Sequence, residues 1–121
     1  MSTAASKVAE AFSSHRFSQV YPHLADDVRW RNVGGDDIIG RDLVVAKCEE
    51  SAQYLSSVTT TFAQLETIPA GDYVVVQSEA TYTDGGGDES RVASCDVYQF
   101  AGDMLVAITS YNVELTDSNV R

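Results

Sequence analysis

The hydrophobic repeat of the chain changes near Val58, and this change constrains the fold more than any other feature of the sequence. Before it, apolar residues recur three or four positions apart, as they do on one face of a helix. After it, apolar and polar residues alternate, which is typical of strands with one buried face. Short glycine-containing turns separate these strands, so neighbouring strands are expected to be antiparallel. Helices followed by a meander of strands predict an α+β fold.

The first part of the chain predicts three helices and one short strand. Val8 and Phe12 stand four apart on the first helix. The second has Ser18 as a possible N-cap, Pro22 near its start and Asp26-Asp27 at its end. A strand over Val28–Val33 precedes the third helix, which begins at Gly40-Arg-Asp. The apolar stripes of the second and third helices are Phe17, Val20, Tyr21 and Leu24, and then Val44, Cys48, Ala52 and Leu55.

Four strands are predicted after the change of period: Val58–Ile68, Tyr73–Thr83, Ser90–Phe100 and Met104–Glu114. Turns centred on Gly86 and Gly102 would place Asp96 opposite Val76 on one side and opposite Ile108 on the other. One face of this sheet is then apolar apart from a single acid and three small polar residues. These four are Asp96, Ser94, Ser110 and Asn112. Met104 and Val106 also fall on this face, and a half-step error at either turn would turn one strand over.

Asp96 is a candidate site residue because a carboxylate on an apolar face is costly unless hydrogen bonds satisfy it, and burial raises its pKa. Perturbed carboxyl groups of this kind are frequent in functional sites. A structural role is equally compatible with the sequence. In that role Asp96 would bond neighbouring hydroxyl groups and hold the strand register.

Composition limits the partners that the chain can have. A length of 121 residues predicts one domain over residues 1–121, and the net charge of -10 disfavours nucleic acid and anionic membranes as partners. Two cysteines, Cys48 and Cys95, are too few for a disulfide scaffold. No signal peptide or membrane-spanning run is evident, so a cytoplasmic location is expected. Neither a metal nor another cofactor is expected, because the two histidines and the scattered acids lack ligand spacing.

Four segments of the chain carry a resemblance to a known family: Leu24-Ala-Asp-Asp-Val28, Gly40-Arg41, Val97-Tyr-Gln-Phe-Ala-Gly-Asp-Met-Leu105 and Ile108-Thr-Ser-Tyr111. With the order of the elements, they resemble the nuclear transport factor two-like superfamily, in its SnoaL-like and ketosteroid-isomerase-like branch. The resemblance covers nearly the whole chain. It implies three N-terminal helices packed on a strongly curved antiparallel sheet, a cone-shaped, cystatin-like roll around a pocket. It also implies a homodimer formed through the outer face of the sheet.

The resemblance to ketosteroid isomerases implies a role for Asp96, which matches their protonated aspartate on the third meander strand. Their base position aligns with Asn32, which cannot take a proton, and their tyrosine position falls near Val8. The isomerase set is therefore incomplete, and steroid isomerisation by that mechanism is not implied.

The resemblance to limonene-epoxide-hydrolase-like members is partial as well. Trp30-Arg-Asn32 has the spacing of their water-holding Tyr-x-Asn. Their Arg-x-Asp pair on the second meander strand and their Asp on the last strand are missing, because the inward positions here are Val76, Ser78 and Ala80, and then Ser110. The remaining candidates form a mixed polar and apolar cluster. Asp96 and Asn32 are the catalytic candidates, and the ligand-binding candidates are Trp30, Tyr98, Ser110, Asn112 and Val76.

Neither of the two histidines is clearly identified as the proton-accepting residue of such a site. His15 lies in the polar turn Ser13-Ser-His-Arg16 and is expected to be solvated. His23 follows Pro22 and is expected at the surface, although it is also the nearest candidate for a base at the pocket rim.

Two functions follow from this interpretation. The first is a SnoaL-like protein that binds a small, apolar or aromatic, oxygenated compound. It would act as an isomerase, cyclase, dehydratase or hydrolase with Asp96 as the acid. The alternative is a non-catalytic ligand-binding or dimerisation module of the same fold.

Overall fold

Helical segments and six strands make up the computed structural model, which describes residues 3–115. The helices are α1 (Thr3–Ser13) and α2 (Arg41–Leu55), with two 3-10 turns between them at Phe17–Gln19 and Tyr21–His23. The strands are β1 (Leu24–Asn32), β2 (Asp37–Ile39), β3 (Thr59–Ala70), β4 (Tyr73–Thr83), β5 (Glu89–Ala101) and β6 (Met104–Leu115). The predicted α+β class and the four meander strands are confirmed. The ends of the predicted domain, residues 1–2 and 116–121, lie outside the described residues.

The second predicted helix is a pair of 3-10 turns and not an α-helix. Its N-cap is Arg16, which makes no side-chain capping bond, so the prediction of Ser18 as N-cap is wrong. Pro22 sits at the start of the second turn, where its missing N–H removes no helical hydrogen bond. The segment ends at His23, and the predicted end at Asp26-Asp27 lies inside β1. Strand β1 therefore begins four residues before the predicted Val28.

All six strands form one sheet in the order β2-β1-β6-β5-β4-β3. The expectation of a wholly antiparallel, strongly curved sheet is wrong in two respects. β1 lies parallel to β6, which makes the sheet mixed, and the sheet is not strongly curled. Sharp bending of a sheet requires bulges or glycine kinks. The central ladder between β4 and β5 has neither, because it pairs residues from Tyr73 with Gln99 to Thr83 with Glu89 without a break.

The pairing of β5 with β6 differs from the predicted register, and a bulge in β6 is part of the difference. Val76 lies opposite Asp96, as predicted, but Asp96 lies opposite Ser110 and not opposite Ile108. The turn is centred between Gly102 and Asp103, half a residue past the predicted centre, and this moves every partner on β6 by one residue. The bulge at Val106 moves the partners by one more residue. The two shifts add to two residues, so Ile108 and Ser110 keep the predicted inner face. Between the turn and the bulge the faces are reversed, so Leu105 points to the core and Met104 points away from it.

The helices cover the inner face of the sheet and form the core with it. α1 packs against β3, β4 and β5, whereas α2 packs against β1 and β2. Phe12 of α1 holds the centre, with edge-on ring contacts to Phe17, Trp30 and Tyr98 at centroid distances of 5.3, 5.0 and 5.8 Å. Such pairs contribute about 0.5–1.5 kcal/mol each beyond the area they bury. Within residues 3–115, no helix is long and apolar enough to span a bilayer.

The reversed segment of β6 gives a direct test of the register. Leu105 is fully buried, whereas Met104 is 38% exposed. Leu105→Ala is expected to lower the free energy of unfolding by about 2–5 kcal/mol, because it leaves a cavity in the core. Met104→Ala should change it by only about 0.5 kcal/mol. Urea denaturation of the two variants measures both values, and the opposite order would contradict the bulge.

Candidate functional site

A cavity of about 290 Å³ lies between the inner face of the sheet and the helices. Its walls come from the C-terminal end of α1, the second half of α2 and every long strand. Five of the seven predicted site residues line it, namely Trp30, Asn32, Asp96, Ser110 and Asn112. The alternation of β5 and β6 and the pairing of Asn32 with Ser110 across β1 and β6 bring these side chains together.

Tyr98 and Val76, the other two predicted site residues, do not line the cavity. Both side chains have no exposed surface and belong to the core. Their prediction as ligand contacts is therefore not supported by this geometry. Tyr98 contacts the site indirectly, because its hydroxyl group hydrogen-bonds to a residue that does line the cavity.

That residue is Ser13, at the end of α1. Its Oγ donates a hydrogen bond of 2.8 Å to Oδ2 of Asp96 and lies 2.6 Å from the hydroxyl of Tyr98. Ser13 has one proton, so when it donates to Asp96 the phenol of Tyr98 must donate to Ser13. A buried relay thus runs from Tyr98 through Ser13 to one oxygen of the carboxyl group.

A second relay approaches Asp96 from the neighbouring strands of the sheet, β6 and β1. The indole Nε1 of Trp30 donates a 3.0 Å hydrogen bond to Oγ of Ser110. An indole can only donate, so Ser110 accepts this bond and its own proton is available to Asp96. The Ser110 hydroxyl does interact with the Asp96 side chain. Trp30 therefore orients a polar group, in addition to supplying apolar surface.

The pKa of Asp96 is raised above its ordinary value of 3.8, and the main cause is burial. The side chain is 9% exposed and stands among aromatic rings, where the ionised form loses its hydration. Hydrogen bonds from Ser110, Ser13 and Tyr98 favour the carboxylate and oppose this effect, but the cost of burial is larger. Burial also raises the pKa of the Tyr98 phenol, which keeps that end of the relay protonated.

The remaining predicted polar residues lie towards the mouth of the cavity. Ser94 donates a 2.7 Å hydrogen bond to the amide oxygen of Asn112, and both are adjacent to solvent. The amide nitrogen of Asn32 lies 3.5 Å from the backbone oxygen of Asp36, which is a long contact. The Asn32 amide is therefore only weakly held and can turn towards a ligand.

Ser13 was missed because a serine in a polar run was interpreted as part of a solvated turn. A signal was present, since Ser13 stands four residues after Ala9 on the buried stripe of α1. Its neighbour His15 was assigned to the same turn. The prediction that His15 is solvated is wrong, because its ring lines the cavity. His23 does not line this cavity.

The position of His15 follows from how α1 ends. The backbone N–H of His15 donates to the oxygen of Phe12 at 3.0 Å, and that of Arg16 donates to the oxygen of Ala11 at 2.8 Å. This pair of bonds is a Schellman motif, whose central residue is left-handed and usually glycine. His15 has a φ of 71° and is the only non-glycine residue with positive φ within residues 3–115. The strained backbone turns its ring back towards the sheet.

The imidazole of His15 packs among aromatic rings. Its ring centroid lies 5.6 Å from that of Phe62, 5.8 Å from Phe17 and 6.0 Å from Tyr82. Burial lowers the pKa of His15 from its ordinary value of 6.5, because the charged ring is poorly solvated there. The neutral imidazole is therefore the stable form at neutral pH.

Together these groups form an apolar chamber with a hydrogen-bonded acid and a neutral imidazole in its walls. The chamber can hold an uncharged ring system and can exchange hydrogen bonds with its oxygen atoms. Within residues 3–115, no three His, Cys, Asp or Glu side chains converge in a way that could hold a metal ion.

Comparisons with known proteins agree with this architecture. The profile of the SnoaL-like domain matches residues 5–108. An NTF2-like protein of unknown function from Cytophaga hutchinsonii has a similar structure, with a TM-score of 0.82 and 28% identity over 93% of this chain and 99% of that one. No curated protein matches the sequence.

Two further structures share the fold at lower identity. A Shewanella putrefaciens protein provisionally named a SnoaL-like polyketide cyclase has a TM-score of 0.69 and 12% identity over 90% of this chain and 86% of that one. A Bacillus subtilis protein provisionally named an isomerase has a TM-score of 0.65 and 11% identity over 91% of this chain and 84% of that one. At these identities the likeness concerns the fold alone.

The burial of Asp96 predicts a pH-dependent effect of Asp96→Asn on stability. Because its folded pKa is raised, the folded protein binds more protons than the unfolded chain above pH 3.8, and wild-type stability falls as pH rises through that window. The Asp96→Asn variant does not lose stability in this way, because asparagine does not ionise. Its stability relative to wild type should therefore increase as pH rises above 3.8, by at most about 1.4 kcal/mol for each pH unit, until Asp96 ionises in the folded protein. Urea denaturation across this range measures it, and a difference independent of pH would contradict the raised pKa.

The strained cap predicts different effects for two substitutions of His15. His15→Ala and His15→Gly both remove the imidazole, but only alanine keeps a Cβ in the left-handed conformation. His15→Gly should therefore be more stable than His15→Ala by about 1 kcal/mol. Thermal denaturation compares the pair, and equal stability would mean that the cap relaxes in the alanine variant.

Proposed function

Because the chain belongs to the SnoaL-like domain family, we propose that it binds a compact, mostly apolar, oxygenated compound in its cavity and acts on it by acid–base chemistry. Asp96 is the acid of this proposal. The observation that carries it is the position of the Asp96 carboxyl group, which lines the cavity, is buried and is held by two hydroxyl relays, through Ser13 and through Ser110.

The electrostatics of the cavity support an uncharged ligand. No Lys or Arg side chain within residues 3–115 lines the cavity, so a carboxylate or phosphate on the ligand would find no counter-charge there. The lining combines aromatic rings with hydroxyl and amide groups. Such a surface binds ring systems through their faces and edges, and it fixes their orientation through one or two oxygen atoms.

The size of the cavity favours a ligand of two or three rings. Ligand pockets typically span about 300–1,000 Å³, and a cavity of about 290 Å³ stands at the lower limit. A compact bicyclic or tricyclic compound fits this volume better than a steroid. The provisional names of the Shewanella putrefaciens and Bacillus subtilis proteins, a polyketide cyclase and an isomerase, agree with chemistry on such compounds.

Asp96 is suited to the role of an acid because burial raises its pKa and so favours the protonated form relative to an exposed carboxyl group. A protonated carboxyl group can donate a hydrogen bond, or a proton, to a carbonyl oxygen that gains negative charge. Oδ2 is already engaged by Ser13. Ser110 also hydrogen-bonds the carboxyl group, so a ligand oxygen would share or replace one of these contacts when it approaches Asp96. Asn32 can hold a second oxygen of the ligand or a water molecule, but its amide cannot take a proton.

The alternative function is a binding module without catalysis, and the amide of Asn32 at the expected base position favours it. In this alternative two copies would associate through the outer face of the sheet. Tyr111 and Val113 lie on that face and are 47% and 56% exposed. Exposed apolar side chains grouped on a surface are common in protein interfaces.

Ligand binding can be followed through Trp30, which is the single tryptophan of the chain and lines the cavity. We expect 2-tetralone, a two-ring ketone, to quench its fluorescence and to raise the melting temperature. At a hundredfold excess over its Kd the ligand would stabilise the fold by about 2.7 kcal/mol. No response to 2-tetralone and to a panel of two-ring ketones and phenols would contradict the proposed cavity function.

Two substitutions of Asp96 test its contribution to ligand binding. Asp96→Leu removes the hydrogen-bond donor and should weaken 2-tetralone binding about tenfold, the loss expected for one hydrogen bond. Asp96→Asn keeps a donor and should bind within about threefold of wild type by the same reasoning. Asp103→Asn, in the exposed turn between β5 and β6, is the matched control and should bind as wild type does. Equal binding by all three variants would remove Asp96 from the site.

A further inference from the structure

The site described above contains an acid but leaves its base unassigned. Proton transfer within a bound compound requires a group that accepts a proton as well as one that gives it. Asn32 cannot accept one, and His23 does not line the cavity. The titratable side chains that do line it are His15, Tyr54, Tyr82 and Asp96.

We propose that His15 is the proton-accepting residue of this cavity and works with Asp96 as the proton donor, an inference that rests on the proposed function. The geometry supports it in two independent ways. The imidazole lines the same chamber as the Asp96 carboxyl group. It is held there by a left-handed backbone conformation at a position where glycine would cap the helix without strain.

The surroundings of His15 keep it in the form that a base requires. Phe17 and Phe62 contact its ring and carry no charge. Tyr82 faces it from β4, and burial together with the charge of Asp96 raises the pKa of that phenol, so it stays neutral. Glu10 of α1 and Arg16, which follows the helix, form an ion pair at the surface. Tyr54 of α2 and Asp96 of β5 complete the titratable groups of the chamber.

A proton donor at Asp96 and a proton acceptor at His15 together define the class of compound that the cavity would act on. The ligand needs a carbonyl oxygen within reach of Asp96 and a weakly acidic C–H on the adjacent carbon within reach of His15. The imidazole takes that proton, and the C–H electron pair forms a carbon–carbon double bond. The carbonyl electron pair moves to the oxygen, which takes the proton of Asp96. The products are an enol, an imidazolium and a carboxylate, and return of both protons completes an isomerisation or an exchange without any redox change.

The experiment follows exchange of the C1 protons of 2-tetralone in deuterated buffer by proton NMR. Wild type should accelerate exchange beyond the buffer rate. His15→Asn removes the base but keeps a residue that tolerates positive φ. It should lose exchange by about a hundredfold or more, the usual contribution of a general base. Its Kd for 2-tetralone, read from Trp30 fluorescence, should stay within about threefold of wild type. His23→Asn is the matched control and should exchange as wild type does.

A second variant separates the base from a packing role. His15→Gly leaves the cap unstrained and opens space beside the cavity, so added imidazole should restore exchange in proportion to its concentration. The pH profile gives a further readout. Exchange by wild type should rise as His15 loses its proton below pH 6.5 and should fall where Asp96 ionises. The rising limb should be absent from His15→Asn.

The outcomes distinguish this proposal from the proposed function. If wild type does not bind 2-tetralone or any compound of the panel, both fail. If it binds but does not accelerate exchange, the proton-accepting role of His15 is overturned and the binding module remains. If Asp96→Asn loses exchange while His15→Asn keeps it, only the role of His15 is overturned. Equal loss of binding and exchange in His15→Asn, without rescue by imidazole, would show a packing role instead.

Discussion

The buried carboxyl group of Asp96 is the constraint on which the rest of the site depends. Burial disfavours its charge, and the chain compensates with hydroxyl groups from two directions, Ser13 with Tyr98 on one side and Ser110 with Trp30 on the other. These contacts tie α1 and β1 to the centre of the meander. They lower the pKa of the group only in part, because the cost of burial outweighs them and the net shift is upward. A carboxyl group held in this state can both stabilise the fold and donate a proton.

Asp96 and His15 are positioned in the chamber by two different kinds of backbone structure. Asp96 stands on β5 in an unbroken ladder, where its position is fixed by eleven consecutive pairs with β4. His15 stands on a helix end, where a strained backbone turns the ring inward. Regular structure thus positions the acid, and an irregular cap positions the imidazole. Strain of this kind persists only where the surrounding structure holds it, and here the ring contacts with Phe17, Phe62 and Tyr82 do so.

Much of the sheet could be predicted because strand alternation and glycine turns are local signals. Strand β4 and the pairing of Val76 with Asp96 came out as predicted, since both depend on one turn. The register of β6 did not, because β6 contains a bulge at Val106, next to the buried Leu105, that no local pattern of the sequence marks. β2 and the parallel pairing of β1 with β6 were also missed. The parallel pairing joins segments distant in the chain, and no local pattern records it. β2 pairs with β1 across a short turn, but its three residues are too few to show an alternating pattern.

The sequence by itself determined the fold class, the face on which Asp96 lies and the apolar character around it, since these follow from periodicity and composition. Only the tertiary structure decided the partners of Asp96 and the second half of the site. Ser13 reaches Asp96 across 83 residues of chain, and His15 enters the cavity because a helix ends in a left-handed turn against the sheet. Contacts of this kind depend on where whole elements pack. Residue patterns, which record only burial and repeat, do not contain that information.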